Sequence, residues 1–220
     1  MTSDKHGEFE SDASSESLLI RAYSLKTPED ARGLYRDWAK TYDHHLEKGL
    51  LYLGPEKIAA MLAEGLEEKS ARIIDIGCGT GLVGQYLVSR GFTHIDGLDF
   101  SPEMLAVARS KSIYRELIQA DLEKPLDLTP GTYQGAISCG TFTHGHVGPG
   151  AIREIFKLLA KNALFACTIH GHLWHEAGFE RALTQLQDER VMTIEAVRDE
   201  AYFDGKEPEG KFCIFRKSPG

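Results

Sequence analysis

The chain has 220 residues and a mass of 24.4 kDa, enough for one generous domain with a sizeable core. Its 42% hydrophobic and 26% charged residues are an ordinary globular balance. A net charge of −8 and a pI of about 5.6 argue against a large nucleic-acid surface, which needs a basic footprint, but leave room for a local basic patch. No apolar run approaches the ~20 residues that span a bilayer. The N-terminus lacks the basic start and apolar core of a secretory signal. A cytoplasmic protein without a membrane partner is therefore expected.

Residues 1–24 are rich in Ser and acids and are expected to be a disordered tail. Residues 25–220 are expected to form a single domain. Thr27-Pro28-Glu29-Asp30 reads as a helix start, with Thr as N-cap, Pro at the first position and acids in the first turn. Tyr35, Trp38 and Tyr42 then fall at i, i+3 and i+7 of the predicted helix. Gly54-Pro55 opens a packing helix carrying Ile58, Met61, Leu62 and Leu66.

The first strand is predicted over 71–76, followed by a helix with Leu82, Val83, Tyr86 and Leu87 inward, ending near Gly91. A second strand is predicted over about 93–98, with a helix after Pro102. Strands are predicted over 113–120 and 133–139. Ile152, Ile155, Phe156 and Leu159 form a helical stripe before a strand over 163–170. A helix is expected over 174–187. The runs 191–201 and 210–217 alternate, forming a terminal antiparallel pair. Strands alternating with helices imply a doubly wound α/β sheet with helices on both faces.

The chain turns on Arg72-Ile73-Ile74-Asp75-Ile76-Gly77-Cys78-Gly79-Thr80-Gly81-Leu82. A β-branched run ends in an acid, and three alternate glycines lead into a helix. This strand–loop–helix lets a backbone approach a nucleotide closely. The spacing is not the G-x-G-x-x-G of dinucleotide sites, since position 82 is Leu.

Alternate glycines after Asp75 resemble motif I of the class I S-adenosylmethionine (SAM) methyltransferases. His94 to Leu105, with Asp99 and Phe100-Ser101-Pro102, resembles the family's second motif, and Ala120-Asp121-Leu122 its segment after the third strand. Thr141-Phe142-Thr143-His144-Gly145-His146 resembles the Williams–Beuren syndrome region methyltransferase-like subfamily. Leu34 to Asp43 resembles the Tyr-Asp-x-x-Ala-x-x-Tyr-Asp entry segment, with Arg36 in place of its first Asp. The resemblance covers roughly residues 35–170. It implies a seven-stranded sheet of order 3-2-1-4-5-7-6 with strand 7 antiparallel, a helical lid over about 25–68, and SAM as cofactor with S-adenosylhomocysteine (SAH) as product. The family's usual Pro-Gly-Gly before strand 5 is replaced by Ala160-Lys161-Asn162.

In such sheets the ligand lies beyond the carboxyl ends of the strands. Asp99, 22 residues after Gly77, is placed to accept from both ribose hydroxyls. Its charge disfavours a 2′-phosphate. Phe100 and Met104 are expected against the adenine; Asp121, with the Leu122 backbone alongside, is expected at its amino group. A plain surface acid is the alternative for Asp121, and core packing for Phe100 and Met104. Asp75 is expected beneath the methionine ammonium. Gly77, Cys78, Gly79 and Gly81 form the loop, while Cys139 and Gly140 lend backbone to the methionine end. Tyr35, Trp38 and Tyr42 belong to the lid, with core packing weighted equally for Trp38. The four cysteines, Cys78, Cys139, Cys167 and Cys213, have no ligand spacing and read as reduced and mostly buried.

His144 and His146 follow strand 4, where the resemblance places acceptor-facing residues, and either is a candidate general base. His170, His172 and His175 follow strand 5, but no Cys or carboxylate spacing joins the five, so no metal is expected. The activity implied is methyl transfer to a small-molecule acceptor. Alternatives are a non-catalytic SAM binder, protein or RNA methylation, and, less favoured, an NAD-dependent oxidoreductase. Ser138-Cys139-Gly140-Thr141 stands where adenine and glutamine nitrogen methylases carry Asn/Asp-Pro-Pro-aromatic.

Overall fold

The computed structural model describes residues 14–25, 28–143 and 147–219. Seven strands form one sheet in the order β3-β2-β1-β4-β5-β7-β6. They are β1 (Arg72–Ile76), β2 (His94–Asp99), β3 (Glu116–Gln119), β4 (Tyr133–Phe142), β5 (Leu159–His170), β6 (Met192–Glu200) and β7 (Gly210–Lys217). The first five pair in parallel; β7 runs antiparallel to both neighbours.

Period-two alternation divides the core. Ile73 and Ile137, with Phe212 and Ile214, bury into one layer; Ile74, with Cys213 and Phe215, buries into the other. The first layer is covered by α4 (Gly54–Gly65) and α5 (Leu82–Ser89), the second by α7 (Gly150–Leu158) and α9 (Phe179–Asp188). α6 (Pro102–Ser110) follows β2. Ser101 caps it, its hydroxyl accepting from the Met104 N–H at 3.2 Å.

Several boundaries differ from expectation. Of the expected tail, residues 15–23 form a helix, α1 (Ser15–Tyr23), while residues 1–13 lie outside the described residues. Leu18 and Ala22, four apart, bury their side chains beneath it, and burial outweighs the polar neighbours. The lid helix, α2 (Pro28–Trp38), stops sooner than its aromatic spacing suggests; its expected cap, Thr27, lies outside the described residues. A short α3 (Tyr42–His44) and a π-helical turn over His45–Gly49 follow. β4 continues past Cys139, bending where Gly140 takes φ +75°. β5 begins directly after α7 because Leu159 pairs with Tyr133 and is buried, and Asn162 at φ +64° makes the turn expected there. The helix expected over 174–187 is two, α8 (Gly171–Glu176) and α9, divided by Gly178.

Candidate active site

β1, β2 and β4 deliver their C-terminal ends to one cleft, with α2 and α3 along its other wall. The cleft encloses about 830 Å³ counting its open mouth, a size that suits a nucleoside-bearing ligand.

The glycine loop is its floor. Gly77 takes φ +68°, and a Cβ there would lie 2.1 Å from Thr141 Oγ1, so only glycine fits. At Gly79, φ +54°, a Cβ would meet no protein atom within 4 Å; the backbone faces open cleft. The Gly77 and Cys78 N–H groups both donate to Leu98 O, pinning the loop to the end of β2.

Asp99 joins the two motifs. Its Oδ2 accepts from the Gly79 N–H at 2.8 Å and its Oδ1 from the Ser101 N–H at 2.8 Å. It is 7% exposed, and it lines the cleft. Burial pushes its pKa up, against the pull of the Ser101, Gly79 and Phe100 N–H groups. Phe100 and Met104 form the adjoining apolar wall, and the Tyr35 ring stands edge-on to Phe100 at 6.4 Å.

Asp121 and Leu122 line the far end. Asp121 is held by Lys124 at 3.0 Å and by Arg32 of α2 at 3.7 Å. Burial raises its pKa, but Lys124, the Glu123 N–H and Arg32 outweigh it and hold the carboxyl below its ordinary value. Cys139 and Gly140 line the opposite end with Tyr42. α3 is tied down beside them: Asp43 accepts from the Thr80 hydroxyl and pairs with Lys111 Nζ at 2.6 Å.

Four residues expected at the cofactor stand behind this wall. Asp75 is fully buried; its Oδ2 accepts from Tyr114 Oη at 2.6 Å, while its Oδ1 has no hydrogen-bond partner among the described residues. Burial drives its pKa up to about 7, the Tyr114 bond pulls down, and Asp99 pushes up. Cys78 packs under Gly97, where a Cβ would meet its Sγ at 2.9 Å. Gly81 serves the start of α5, at φ +92°. Trp38 is buried behind Tyr35 and Tyr42, its Nε1 donating to His45 Nδ1 at 2.9 Å. That supports the packing alternative.

His144 and His146 lie outside the described residues. His170 caps α8, its Nδ1 accepting from the His172 N–H at 3.4 Å, and stacks between His172 and Tyr202. His175 instead pairs with Glu180 of α9 at 2.7 Å. Among the described residues, no three His, Cys, Asp or Glu side chains converge as metal ligands, and no helix is long and apolar enough to cross a membrane.

Sequence reasoning missed Arg32 and Thr141 at the cleft, and Tyr114 behind it. Arg32 is one turn before Tyr35, so its face was readable. Tyr114 had no local signal, since its role comes from packing across to Asp75.

Residues 73–162 match the family model described as a methyltransferase domain. The human methyltransferase-like protein 27 is 36% identical over 124 residues, 55% of this chain and 50% of that protein. The 18S rRNA (guanine-N(7))-methyltransferase of Bos taurus is 39% identical over 72 residues, 33% of this chain and 25% of that protein. The chain thus spans half or less of the length of these relatives. The crystal structure of a SAM-dependent methyltransferase from Mesorhizobium loti superposes with a TM-score of 0.58 at 18% identity, covering 72% of this chain and 96% of that one.

The sheet order is that of the Rossmann-like methyltransferase fold, and residues 73–162 within it are similar to a methyltransferase domain.

Proposed function

We propose that the protein transfers the methyl group of SAM to a small-molecule acceptor. The observation that carries this is the Asp99 carboxylate, cradled by two backbone N–H groups beside an open Gly79. The cradle spends one lone pair on each oxygen and leaves the rest for two ribose hydroxyls.

The residues present fit the group. Phe100 and Met104 would hold the adenine, with Asp121 at its amino group. The unpartnered Oδ1 of Asp75 asks for a donor, and a cationic ammonium, directly or through water, would supply one. Cys139, Gly140 and Tyr42 would bound the methionine end, and Tyr35 would close over Phe100.

SAM supplies a methyl group already activated on a sulfonium. With SAM bound, that methyl group would be available to an acceptor lone pair, leaving SAH, and any proton the acceptor loses would go to a base or to water. The chain's own work is positioning and exclusion of water. His144 and His146 are our candidates for that base, because Thr143, immediately before them, lines the cavity next to the methionine end. A cytoplasmic setting with reduced cysteines fits the four free thiols. The segment Thr141 to His146 supports the Williams–Beuren region subfamily within the class.

The ribosomal RNA methyltransferase match favours a rival, an RNA acceptor. Turnover decides. Methyl-labelled SAM incubated with small phenols, thiols and amines, and separately with ribosomal RNA, should label only small molecules. Labelling of RNA alone would overturn the small-molecule assignment. His144→Ala should slow turnover at least about 100-fold at neutral pH, the lower end of what a general base contributes.

A further inference from the structure

Beyond Tyr42 and Gly140 the cleft opens into a second, inner cavity of about 460 Å³ counting its mouth. Tyr35, Tyr42 and Gly140 belong to both. Gly140 sits at the junction with φ +75°, and a Cβ on it would press on Tyr52 Oη at 3.3 Å. The Tyr52 hydroxyl and the Cys139 thiol are bonded at 3.2 Å across the same partition. The inner cavity therefore begins where the methionine end of the cofactor cleft stops.

Its wall differs in kind. The cofactor cleft carries Arg32, Asp99, Asp121 and Glu123. Among the described residues that line the inner cavity, none is Asp, Glu, Lys, Arg or His; they are aromatic and aliphatic, with Thr143 and Gly140. Tyr23 and Ala22 come from α1, Tyr42 from α3, and Tyr202 and Phe203 from the connection between β6 and β7. The phenols stay neutral: burial pushes those of Tyr23, Tyr42, Tyr52 and Tyr202 above their ordinary value. Tyr202 is 2% exposed and its hydroxyl has no hydrogen-bond partner among the described residues; Thr168 is near enough to ease its pKa but not in bonding geometry.

Such a wall selects its guest. A carboxylate or phosphate entering it would lose its hydration and find no cation among the described lining residues. A neutral apolar group loses little and gains apolar contact. A single polar atom on that group would find the Tyr202 hydroxyl.

Resting on the methyltransferase reading, we propose that this inner cavity is the acceptor site, and that the acceptor is an uncharged small molecule with an apolar body. Phosphorylated metabolites and nucleic acid lie outside its range.

The test uses 2-naphthol as the neutral probe and 2-naphthoate as its charged counterpart, with a 12-mer oligoribonucleotide as the nucleic-acid probe. Binding to the full chain is measured by calorimetry, with and without saturating SAH. 2-Naphthol should bind, and 2-naphthoate at least about tenfold more weakly, because its charge would be buried without a partner. Ala22→Phe, which fills the cavity from α1, should abolish 2-naphthol binding while SAH affinity stays within about twofold. Should that variant fail to fold, Leu19→Trp on the same helix fills the same space. Equal affinity for 2-naphthol and 2-naphthoate, 2-naphthol binding that survives the filled cavity, or displacement of 2-naphthol by the 12-mer would overturn the proposal. If SAH does not bind while 2-naphthol still does, the methyltransferase reading fails and takes the acceptor assignment with it, leaving only a binding site for neutral guests.

Discussion

Asp75 is fully buried with its Oδ1 unpartnered among the described residues, and the cost of that burial is measurable. In the native state it holds its proton up to a pH of about 7, because burial disfavours its charge. Unfolded, it releases that proton near pH ~3.9. Between these points the native state binds more protons than the unfolded state. Stability contributed by this site therefore falls as pH rises, and the loss is complete above about 7. From pH 5.5 to the native titration point is roughly 1.5 pH units, each carrying about 1.4 kcal/mol, so the site should cost about 2 kcal/mol across that interval. For a chain of this size that is about 4–8 °C in Tm.

Asp75→Asn removes the titration but keeps the shape, and Tyr114 can still donate to the amide oxygen. The amide nitrogen then takes the place of the unpartnered Oδ1, at a cost that does not vary with pH. The readout is therefore the slope: apo wild type and variant, unfolded thermally at pH 5.5 and pH 8. Wild type should lose about 2 kcal/mol more than the variant over that range. Parallel pH dependence of the two would refute the reasoning, since it would mean that Asp75 is ionised throughout.

Three further expectations follow from the same contacts. Tyr114→Phe removes the bond that pulls Asp75 down, so the pH midpoint of SAH binding should rise and affinity at pH 7 should fall; an unmoved midpoint in a calorimetric pH series would show that Tyr114 only fills space. Asp99→Ala deletes the acceptor for the ribose and the tie to Gly79, and should weaken SAH by about 2–3 kcal/mol, or roughly 30–150-fold; a change under threefold by calorimetry would remove the ribose assignment. Asp43→Ala frees the lid from both Thr80 and Lys111, and stopped-flow measurement should show SAH leaving several-fold faster with little change in on-rate; an unchanged off-rate would mean the lid does not gate the cleft.

What could be read in the chain was whatever rests on neighbours in sequence. The alternate glycines, Asp99 at the end of a strand and the Ser101-Pro102 helix start are local devices, and all meet at the cleft. The sheet order came from the family resemblance, and the strand pairing matches it. Trp38 shows where periodicity stops short. Its spacing from Tyr35 is right for one face, but α2 ends there and the ring turns to His45. Asp75 was legible as the acid near the end of its strand; its partner, the Tyr114 hydroxyl supplied from the approach to β3, was not. α1 was hidden by its serines and acids, although Leu18 and Ala22 carry the four-residue spacing that buries it. The inner cavity has no local signature in the sequence. Its wall gathers residues from α1, α2, α3 and the β6–β7 connection, which meet only in the folded chain.

The central claim is that this cleft binds SAM. Calorimetric titration of the apo protein with SAM, SAH and NAD tests it most directly. The account predicts micromolar binding of SAM and SAH at one site per chain, weakening below pH 7 as Asp75 takes up its proton, and no heat with NAD. Binding of NAD in preference to both, or no binding of SAM and SAH at pH 8, would contradict it.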